Sequence, residues 1–318
     1  MKILILAEYG RTVGTGHLVR SGLLRRALSQ IYDIQMIAVK ERLLGNLESI
    51  ADKLSAEYDV VLFDGIQFNN KTISQVTTQK SISLSYVSDI NSFTDLVIAP
   101  ALFGQKNLFR TLTDVKFLIF HLLERSSQKL VSGYRANSKK KRALVYSWFG
   151  GTDTDSLSKI TELQLMSQGY DCLIGSQYIM EADLEERARK WSSLKKIEMP
   201  HQGALDADYI ITQAGLSAVE LVALKKPTIV RYRSDFPKAY DFLAEFSWVR
   251  FIEDVELKQA RYSEIFSEIE KRRKVNESSA ANQLFSKLYI EDRAVIWHQL
   301  FLEIQKDLEG YHEYNNKL

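Results

Sequence analysis

The sequence contains one cysteine, Cys172, among 318 residues. This excludes a disulfide within the chain and a metal site built from several thiolates, and it agrees with a reducing cytoplasmic compartment. No apolar run approaches the roughly 18 residues that a membrane-spanning helix needs. The N-terminal segment MKILILAEYG has no small-residue cleavage site, which favours a first β-strand over a signal peptide. We therefore expect a cytoplasmic protein without a membrane span.

An excess of charge of one sign is also missing. The 42 lysines and arginines nearly balance the 40 aspartates and glutamates, for a net charge of +2. This balance argues against nucleic acid or an anionic membrane surface as a partner, so any anion site must be local. Apolar residues make up 45% and charged residues 26%, values typical of soluble globular enzymes. The length predicts two domains, at roughly 100–200 residues each.

Short apolar runs alternate with longer helical patterns, which is typical of βα units. Several runs are apolar at successive positions, which indicates strands buried on both faces of a parallel sheet. In the first half, the predicted strands cover residues 2–6, 35–39, 60–63, 84–87, 96–99 and 117–120. In the second half, they cover residues 143–147, 171–174, 196–199, 209–211, 228–230 and 249–252. This pattern predicts the α/β class.

The boundary between the halves is predicted from a polar, basic stretch without periodicity, SGYRANSKKKR at residues 132–142. We expect two Rossmann-like domains, at residues 1–135 and 142–318, with a helical tail from about residue 256. Residues 292–307 of this tail have an amphipathic pattern, and such a helix could brace the two halves.

A glycine-rich turn and a histidine follow the first predicted strand, at the strand end where open α/β sheets bind ligands. In AEYGRTVGTGHLVR, residues 7–20, Gly14 and Gly16 allow the backbone to approach a ligand before a helix start that favours anions. The dinucleotide-binding spacing is not met, because Val19 stands where the third glycine belongs. His17, in the first turn of the helix predicted at 17–30, is either a structural histidine or an active-site residue.

A second turn occurs in SWFGGTDTDS, residues 147–156. Gly150 and Gly151 form a flexible, amide-rich segment between a predicted strand and a helix, which could hold a phosphate. Alternatively, the glycines only make a sharp turn, and Thr152 or Asp153 caps the helix that follows.

A third segment is ITQAGLSAVELVALKKP, residues 211–227. Gly215, Leu216 and Ser217 lie at a predicted helix start and include residues small enough for a ligand to rest there. Glu220 follows one turn later, where a carboxylate can accept the paired hydroxyls of a ribose. The alternative is that Glu220 only complements the helix dipole.

Two aspartates, Asp64 and Asp89, end predicted strands of the first half. They are candidate partners for His17 or for substrate hydroxyls, and equally they could cap loops. The sequence has no H-E-x-x-H, no paired-cysteine zinc pattern and no G-x-S-x-G. We therefore expect neither a metal site nor a cofactor.

The order GTGHLVR, GGTD and QAGLSAVEL followed by KKPTIV resembles the nucleotide-sugar hydrolases of the pseudaminic acid pathway. Those enzymes remove UDP from a diacetamido-trideoxy-altrose donor and are related to the two-domain, GT-B type glycosyltransferases that make lipid II. The resemblance covers roughly residues 1–230. It implies two Rossmann-like domains facing a cleft, with UDP held mainly by the second and the sugar reaching the first.

The resemblance also implies roles for individual residues. His17 takes the position of the catalytic histidine, the general base on an attacking water, and we add Asp89 as a second catalytic residue. Glu220 would bind the ribose. The residues predicted to bind substrate are Glu8, Gly14, Gly16, Arg20, Asp64, Gly150, Gly151, Thr152, Gly215, Leu216, Ser217, Glu220 and Tyr240.

The chain departs from the family pattern at three positions. Glu8 stands where the family usually has aspartate, Asp89 is followed by Ile90 instead of a second aspartate, and Tyr240 lies nearest to the place of an Asn-Gln pair. The main hypothesis is hydrolysis of a UDP-linked amino sugar in surface-polysaccharide or nonulosonic acid biosynthesis. The alternatives are a GT-B glycosyltransferase with a UDP-sugar donor, and a non-catalytic nucleotide-sugar binding protein.

Overall fold

The computed structural model describes residues 1–10, 13, 15–41, 57–69, 71, 74–76, 78–84, 93–103, 111–118, 142–150, 157–175, 202–232, 239–273, 279–288 and 293–315. The β-strands are β1 (Lys2–Tyr9), β2 (Asp33–Lys40), β3 (Tyr58–Asp64), β4 (Thr78–Ser83), β5 (Leu96–Ile98), β6 (Thr111–Leu112), β7 (Leu144–Trp148), β8 (Asp171–Ile174), β9 (Tyr209–Gln213), β10 (Thr228–Arg231) and β11 (Val249–Ile252). The α-helices are α1 (Gly16–Leu28), α2 (Leu157–Ser167), α3 (Leu216–Val222), α4 (Asp254–Gln259), α5 (Tyr262–Arg273), α6 (Ser279–Leu288) and α7 (Arg293–Asn315).

The chain divides into two compact units, each with one sheet. Unit 1 comprises Met1–Ile119, Leu184–Lys195 and Ile290–Leu318, and unit 2 comprises Phe120–Asp183 and Lys196–Tyr289. The predicted connector at 132–142 lies, except for Arg142, outside the described residues. Each unit contains strands and helices in alternation, which confirms the predicted α/β class.

The sheet of unit 1 has the order β2-β1-β3-β4-β5-β6, and all its pairings are parallel. The central strand β1 is fully buried from Ile3 to Ala7, as expected for a strand covered on both faces. Helix α1 packs on this sheet through Leu18, Leu24 and Leu28. The parallel sheet predicted from successive apolar residues is therefore present.

Two strands of unit 1 differ from the prediction. Strand β4 covers Thr78–Ser83, ahead of the strand predicted at 84–87, of which residues 85–87 lie outside the described residues. Its buried Ser81 is satisfied by Asp95, whose Oδ2 accepts from the Ser81 hydroxyl at 2.7 Å and from its amide at 2.8 Å. Of the strand predicted at 117–120, residues 119–120 lie outside the described residues. Phe117 is in a 3-10 turn, because Asp114 accepts a hydrogen bond from the amide of Lys116 and caps that turn.

The C-terminal helix α7 packs on unit 1, although the sequence boundaries assign it to the second half. The Trp297 ring lies 5.8 Å from that of Phe117, and Phe301 lies 5.5 Å from Tyr32. The hydroxyl of Tyr32 is also 2.8 Å from Nδ1 of His298. Trp297, Phe301 and Ile304 of the predicted amphipathic segment are thus buried in unit 1, whereas Val295 is 46% exposed.

The sheet of unit 2 has the order β11-β10-β9-β7-β8, again with parallel pairings throughout. Strands β7, β9 and β10 overlap predicted ones, and β8 and β11 match their predicted ranges; the strand predicted at 196–199 lies outside the described residues. Buried Lys226 stabilises the end of the sheet where β10 begins. Its ammonium donates to the carbonyls of Ala204, Leu205 and Ala207 at 3.0, 2.6 and 2.5 Å.

Both sheets contain a topological switch point, where successive connections leave to opposite sides of one strand. In unit 1 it lies between β1 and β3, and in unit 2 between β7 and β9. Open α/β sheets bind ligands at the carboxyl ends of the strands at such points. The residues at the carboxyl ends of these four strands are therefore candidates for a ligand-binding site.

Candidate functional site

A histidine and a carboxylate meet at the switch point of unit 1. His17 lies in the first turn of α1, directly after the β1 turn, and Asp64 ends β3. The Nδ1 of His17 is 2.7 Å from Oδ1 of Asp64. Asp64 is fully buried, whereas the His17 side chain keeps 17% of its surface exposed. The predicted partnership of these two side chains is present in the structure.

Two further side chains of α1 hold the same carboxylate. Arg20 forms an ion pair with Asp64 through Nη2, and its Nε donates to Oδ2 at 3.1 Å. The Ser21 hydroxyl donates to Oδ2 at 2.7 Å. Burial alone would raise the pKa of Asp64, but the charges and hydrogen bonds of Arg20 and His17 outweigh it and lower the pKa to about 2. Asp64 is therefore ionised at neutral pH.

An ionised Asp64 determines how His17 presents its ring. A carboxylate only accepts hydrogen bonds, so we assign the imidazole proton to Nδ1, facing Asp64. The lone pair then lies on Nε2, and none of the hydrogen bonds between described residues uses that atom. This arrangement suits a general base, because an orienting carboxylate also stabilises the imidazolium that forms.

A second carboxylate, Glu8, lies nearby at the end of β1. Its Oε2 accepts from the amides of Ile66 and Gln67 at 2.7 and 3.2 Å, whereas its buried Oε1 has no hydrogen-bond partner among the described residues. Burial raises the pKa of Glu8, partly opposed by those two amides and by the charge of His17. A Cβ at Gly65 would lie 2.5 Å from Oε2, so the loop closes on Glu8 only with glycine there.

The other predicted residues of this region are only partly described. Gly16 begins α1, and a Cβ built there would meet no atom within 4 Å. Packing within the protein therefore does not require glycine at this position. Gly14 and Asp89 lie outside the described residues.

In unit 2, the turn after β7 is held by a neighbouring strand. The Gln213 side chain at the end of β9 donates from Nε2 to the carbonyl of Phe149 at 2.6 Å. Gly150 has a φ of +94°, a backbone conformation that favours glycine. Gly151 and Thr152 lie outside the described residues.

Arg231, at the end of β10, holds Gln213 in turn. Its Nη1 donates to Oε1 of Gln213 at 3.2 Å, and its Nη2 donates to Oδ2 of Asp254 at 2.8 Å. The hydrogen bond from Arg231, supported by its charge, lowers the pKa of Asp254. The ends of β10, β9 and β7 are thus connected by one line of hydrogen bonds.

The segment after β9 places its residues at two depths. Gly215, Leu216 and Ser217 are half-buried at the start of α3. Glu220 is only 4% exposed. Burial, together with the charge of Glu220, raises the pKa of Tyr146 in β7. The structure does not bring Glu220 to the surface together with Ser217. A ribose contact by Glu220 stays a prediction.

Tyr240 lies apart from these turns in sequence, before the 3-10 helix Asp241–Glu245. It has a φ of +67° and is 5% exposed, with its ring 6.1 Å from that of Phe242. In this arrangement the ring contributes to packing, and a substrate contact by Tyr240 stays a prediction.

Sequence reasoning missed Ser21, Gln213 and Arg231. Ser21 follows His17 by four residues and therefore shares its helix face, a spacing visible in the sequence. Gln213 and Arg231 are polar residues that end otherwise apolar strands, which is also a visible signal. Their link to each other depends on the order of the strands, which the sequence does not specify.

Among the described residues, no helix is long and apolar enough to cross a membrane, and no group of three or more histidine, cysteine, aspartate or glutamate residues could hold a metal ion. No family model and no curated protein matches the chain. Solved structures do match it. The glycosyltransferase of kitacinnamycin has a TM-score of 0.52 at 10% identity, covering 95% of this chain and 98% of that one.

Two further structures match to a similar degree. The spinosyn rhamnosyltransferase, solved with spinosyn aglycone, has a TM-score of 0.51 at 11% identity and covers 94% of this chain and 100% of its own. A Listeria monocytogenes protein assigned as a UDP-N-acetylglucosamine 2-epimerase has a TM-score of 0.51 at 10% identity, with coverages of 92% and 94%. The chain has the GT-B type of fold. At these identities the likeness shows the fold alone, so it supports the resemblance to pseudaminic-pathway hydrolases only at that level.

Proposed function

We propose that this protein is a glycosyltransferase that uses a UDP-sugar donor, with His17 as the general base. The observation that carries the proposal is the hydrogen bond between His17 and the ionised Asp64 at the switch point of unit 1. The fold supports it, because two of the similar structures are named as glycosyltransferases.

The proposed step starts with an acceptor hydroxyl beside His17. Nε2 takes the hydroxyl proton while the oxygen attacks the anomeric carbon of the donor. The bond between that carbon and the diphosphate oxygen breaks, and UDP leaves with the bonding electron pair. Asp64 keeps its negative charge and stabilises the imidazolium, which later returns its proton to solvent.

Unit 2 would hold the departing nucleotide in this proposal. The turn at Gly150 and Gly151 would bind the diphosphate through backbone amides, and Gly215 and Ser217 would contact the nucleotide. Backbone amides suit this task because they stabilise the charge that develops on the leaving group without needing to reorganise. In unit 1, Arg20 and Oε1 of Glu8, which has no hydrogen-bond partner in the described part of the chain, would face the sugar.

Hydrolysis is the second candidate, since the same His17 and Asp64 pair would also deprotonate a water. A hydrolase would act on a UDP-linked amino sugar, as the motif resemblance implies. The two candidates differ in whether UDP release depends on an acceptor. Surface-polysaccharide or nonulosonic acid biosynthesis would be the setting in either case.

The test is UDP release from a panel of UDP-amino sugars, with and without monosaccharide and lipid-linked sugar acceptors. Transfer predicts that release rises at least about tenfold when the matching acceptor is present. Equal release without any acceptor supports hydrolysis and contradicts transfer. UDP binding by calorimetry without release from any donor supports the non-catalytic alternative.

A further inference from the structure

A side chain of the neighbouring strand holds the Phe149–Gly150 peptide at the switch point of unit 2. Its carbonyl accepts a hydrogen bond of 2.6 Å from the Gln213 side chain, which reaches across from the adjacent strand β9. The same amide nitrogen also lies close to Gly150, because a Cβ added there would be only 2.7 Å from it. Glycine at 150 and glutamine at 213 are therefore matched to each other.

The orientation of the Gln213 amide is itself determined by a second contact. Its oxygen accepts from Nη1 of Arg231, so its nitrogen must face the Phe149 carbonyl. Arg231 is 8% exposed and forms a two-point ion pair with Asp254. A buried guanidinium paired in this way has little freedom to move.

This arrangement fixes a donor as well as an acceptor. A trans peptide is planar, so its N–H points away from the side on which its carbonyl is bound. The chain has no cis peptide among the described residues, and no hydrogen bond between described residues uses the amide of Gly150. With the carbonyl held by Gln213, the Gly150 N–H is aimed away from β9 and is available to an incoming group.

We propose that Gln213 and Arg231 are positioning residues that hold the Phe149–Gly150 peptide so that its N–H receives the diphosphate of a nucleotide. The inference rests on the proposed function, which places a nucleoside diphosphate at this turn. Neither side chain touches the ligand; each acts through the peptide. Free inorganic diphosphate carries the group that this N–H would bind, whereas a nucleoside without phosphates does not.

The buried Lys226 provides a matched control. It also binds backbone carbonyls from inside unit 2, but at the opposite end of β10 from Arg231. Its replacement should lower the stability of unit 2 without changing the turn at Gly150. A merely structural role for Gln213 would give the same result as this control.

The experiment measures the affinity of the full chain for UDP, inorganic diphosphate and uridine by calorimetry. The variants are Gln213→Leu, which removes the amide, and Gln213→Glu, which keeps an acceptor for Arg231 but loses the donor to Phe149. Lys226→Met is the control. Thermal unfolding of each variant identifies any that fails to fold, and the milder Gln213→Glu then carries the test.

We expect both Gln213 variants to bind UDP and diphosphate about tenfold more weakly, the effect of one well-oriented hydrogen bond, with uridine affinity unchanged. Lys226→Met should keep the wild-type ratio of UDP to uridine affinity. If the Gln213 variants keep that ratio while wild type binds UDP, the positioning role is wrong and the proposed function stands. If wild type binds no UDP, the proposed function fails and this inference falls with it.

Discussion

The two units have the same type of sheet and the same switch point, yet they collect opposite kinds of residues there. Unit 1 gathers ionisable side chains, with Asp64 fully buried between His17 and Arg20. Unit 2 presents a backbone turn, held through the neutral amide of Gln213. Both positions lie at the carboxyl ends of interior strands, so the type of sheet does not explain the difference in chemistry. The residues that end the strands explain it, because ionisable side chains suit proton transfer and a backbone turn suits binding an anion.

The largest expected effect on stability comes from the buried charge of unit 1. Asp64→Asn should lower the free energy of unfolding by about 3 kcal/mol at pH 7, because it removes the buried negative charge that pairs with Arg20. Urea unfolding measures this. Ser21→Ala, which removes one neutral donor to the same carboxylate, is the control and should cost about 1 kcal/mol. Equal losses in the two variants would show that charge does not dominate the cluster.

The same carboxylate predicts a pH dependence. The folded pKa of Asp64 is about 2, below the value of about 3.9 for an unfolded aspartate, so its contribution is complete above about pH 5. This contribution to the free energy of unfolding, about 2 kcal/mol, is lost as the pH falls toward 2. Unfolding curves of wild type and Asp64→Asn should therefore converge in acid. A constant difference from pH 7 to pH 2 would contradict the lowered pKa.

A smaller effect is expected from the turn of unit 2. Gly150→Ala should cost about 2 kcal/mol, part from the positive φ and part from the collision with Gln213. Gly169 is the matched control, with a φ of +84° and nothing within 4 Å of an added Cβ. Gly169→Ala should cost only about 1 kcal/mol. Equal costs in thermal unfolding would mean that Gln213 yields and does not hold the turn.

Glu8 offers a way to separate stability from function in unit 1. Burial raises its pKa, so the folded state favours the protonated carboxyl and loses stability as the pH rises through that pKa. Glu8→Gln should therefore stabilise the protein at pH 7. The same change should lower turnover about tenfold if Oε1 binds the sugar. A variant that is both less stable and fully active would contradict this role.

The smallest effect on stability is expected at Gly16. An added Cβ meets no atom of the described residues within 4 Å, so Gly16→Ala should change the free energy of unfolding by less than about 0.5 kcal/mol. A donor sugar lying on the helix start would still collide with the methyl group, which should raise KM for the donor. Unchanged KM would place the sugar elsewhere.

Most strands of the two sheets were predictable, because strands such as β1 and β10 are apolar at successive positions. Strand β4 was not, since its sequence TQKSIS is polar and its burial depends on Asp95, a distant residue that satisfies Ser81. The apolar run that begins at Phe117 also predicted a strand, but Phe117 lies in a 3-10 turn. There a local cap from Asp114 outweighs the apolar pattern.

The candidate site was predictable where one short segment carries it. His17 and Arg20 stand in one motif, and Asp64 was identified as the end of a strand. The contacts of Gln213 with Phe149 and Arg231 were not predictable, because they join the ends of three strands whose neighbours follow from the sheet order. Periodicity identifies strands, but it does not give their order.

The most direct test of the separate roles proposed for the two units compares two measurements on His17→Ala. They are the rate of UDP release from the donor and the affinity for UDP. Loss of a general base should lower the rate by about 10²- to 10⁴-fold. UDP affinity, which we propose is carried by unit 2, should stay within about twofold of wild type, a change of roughly 0.4 kcal/mol. Release by His17→Ala at the wild-type rate would contradict a catalytic role for unit 1.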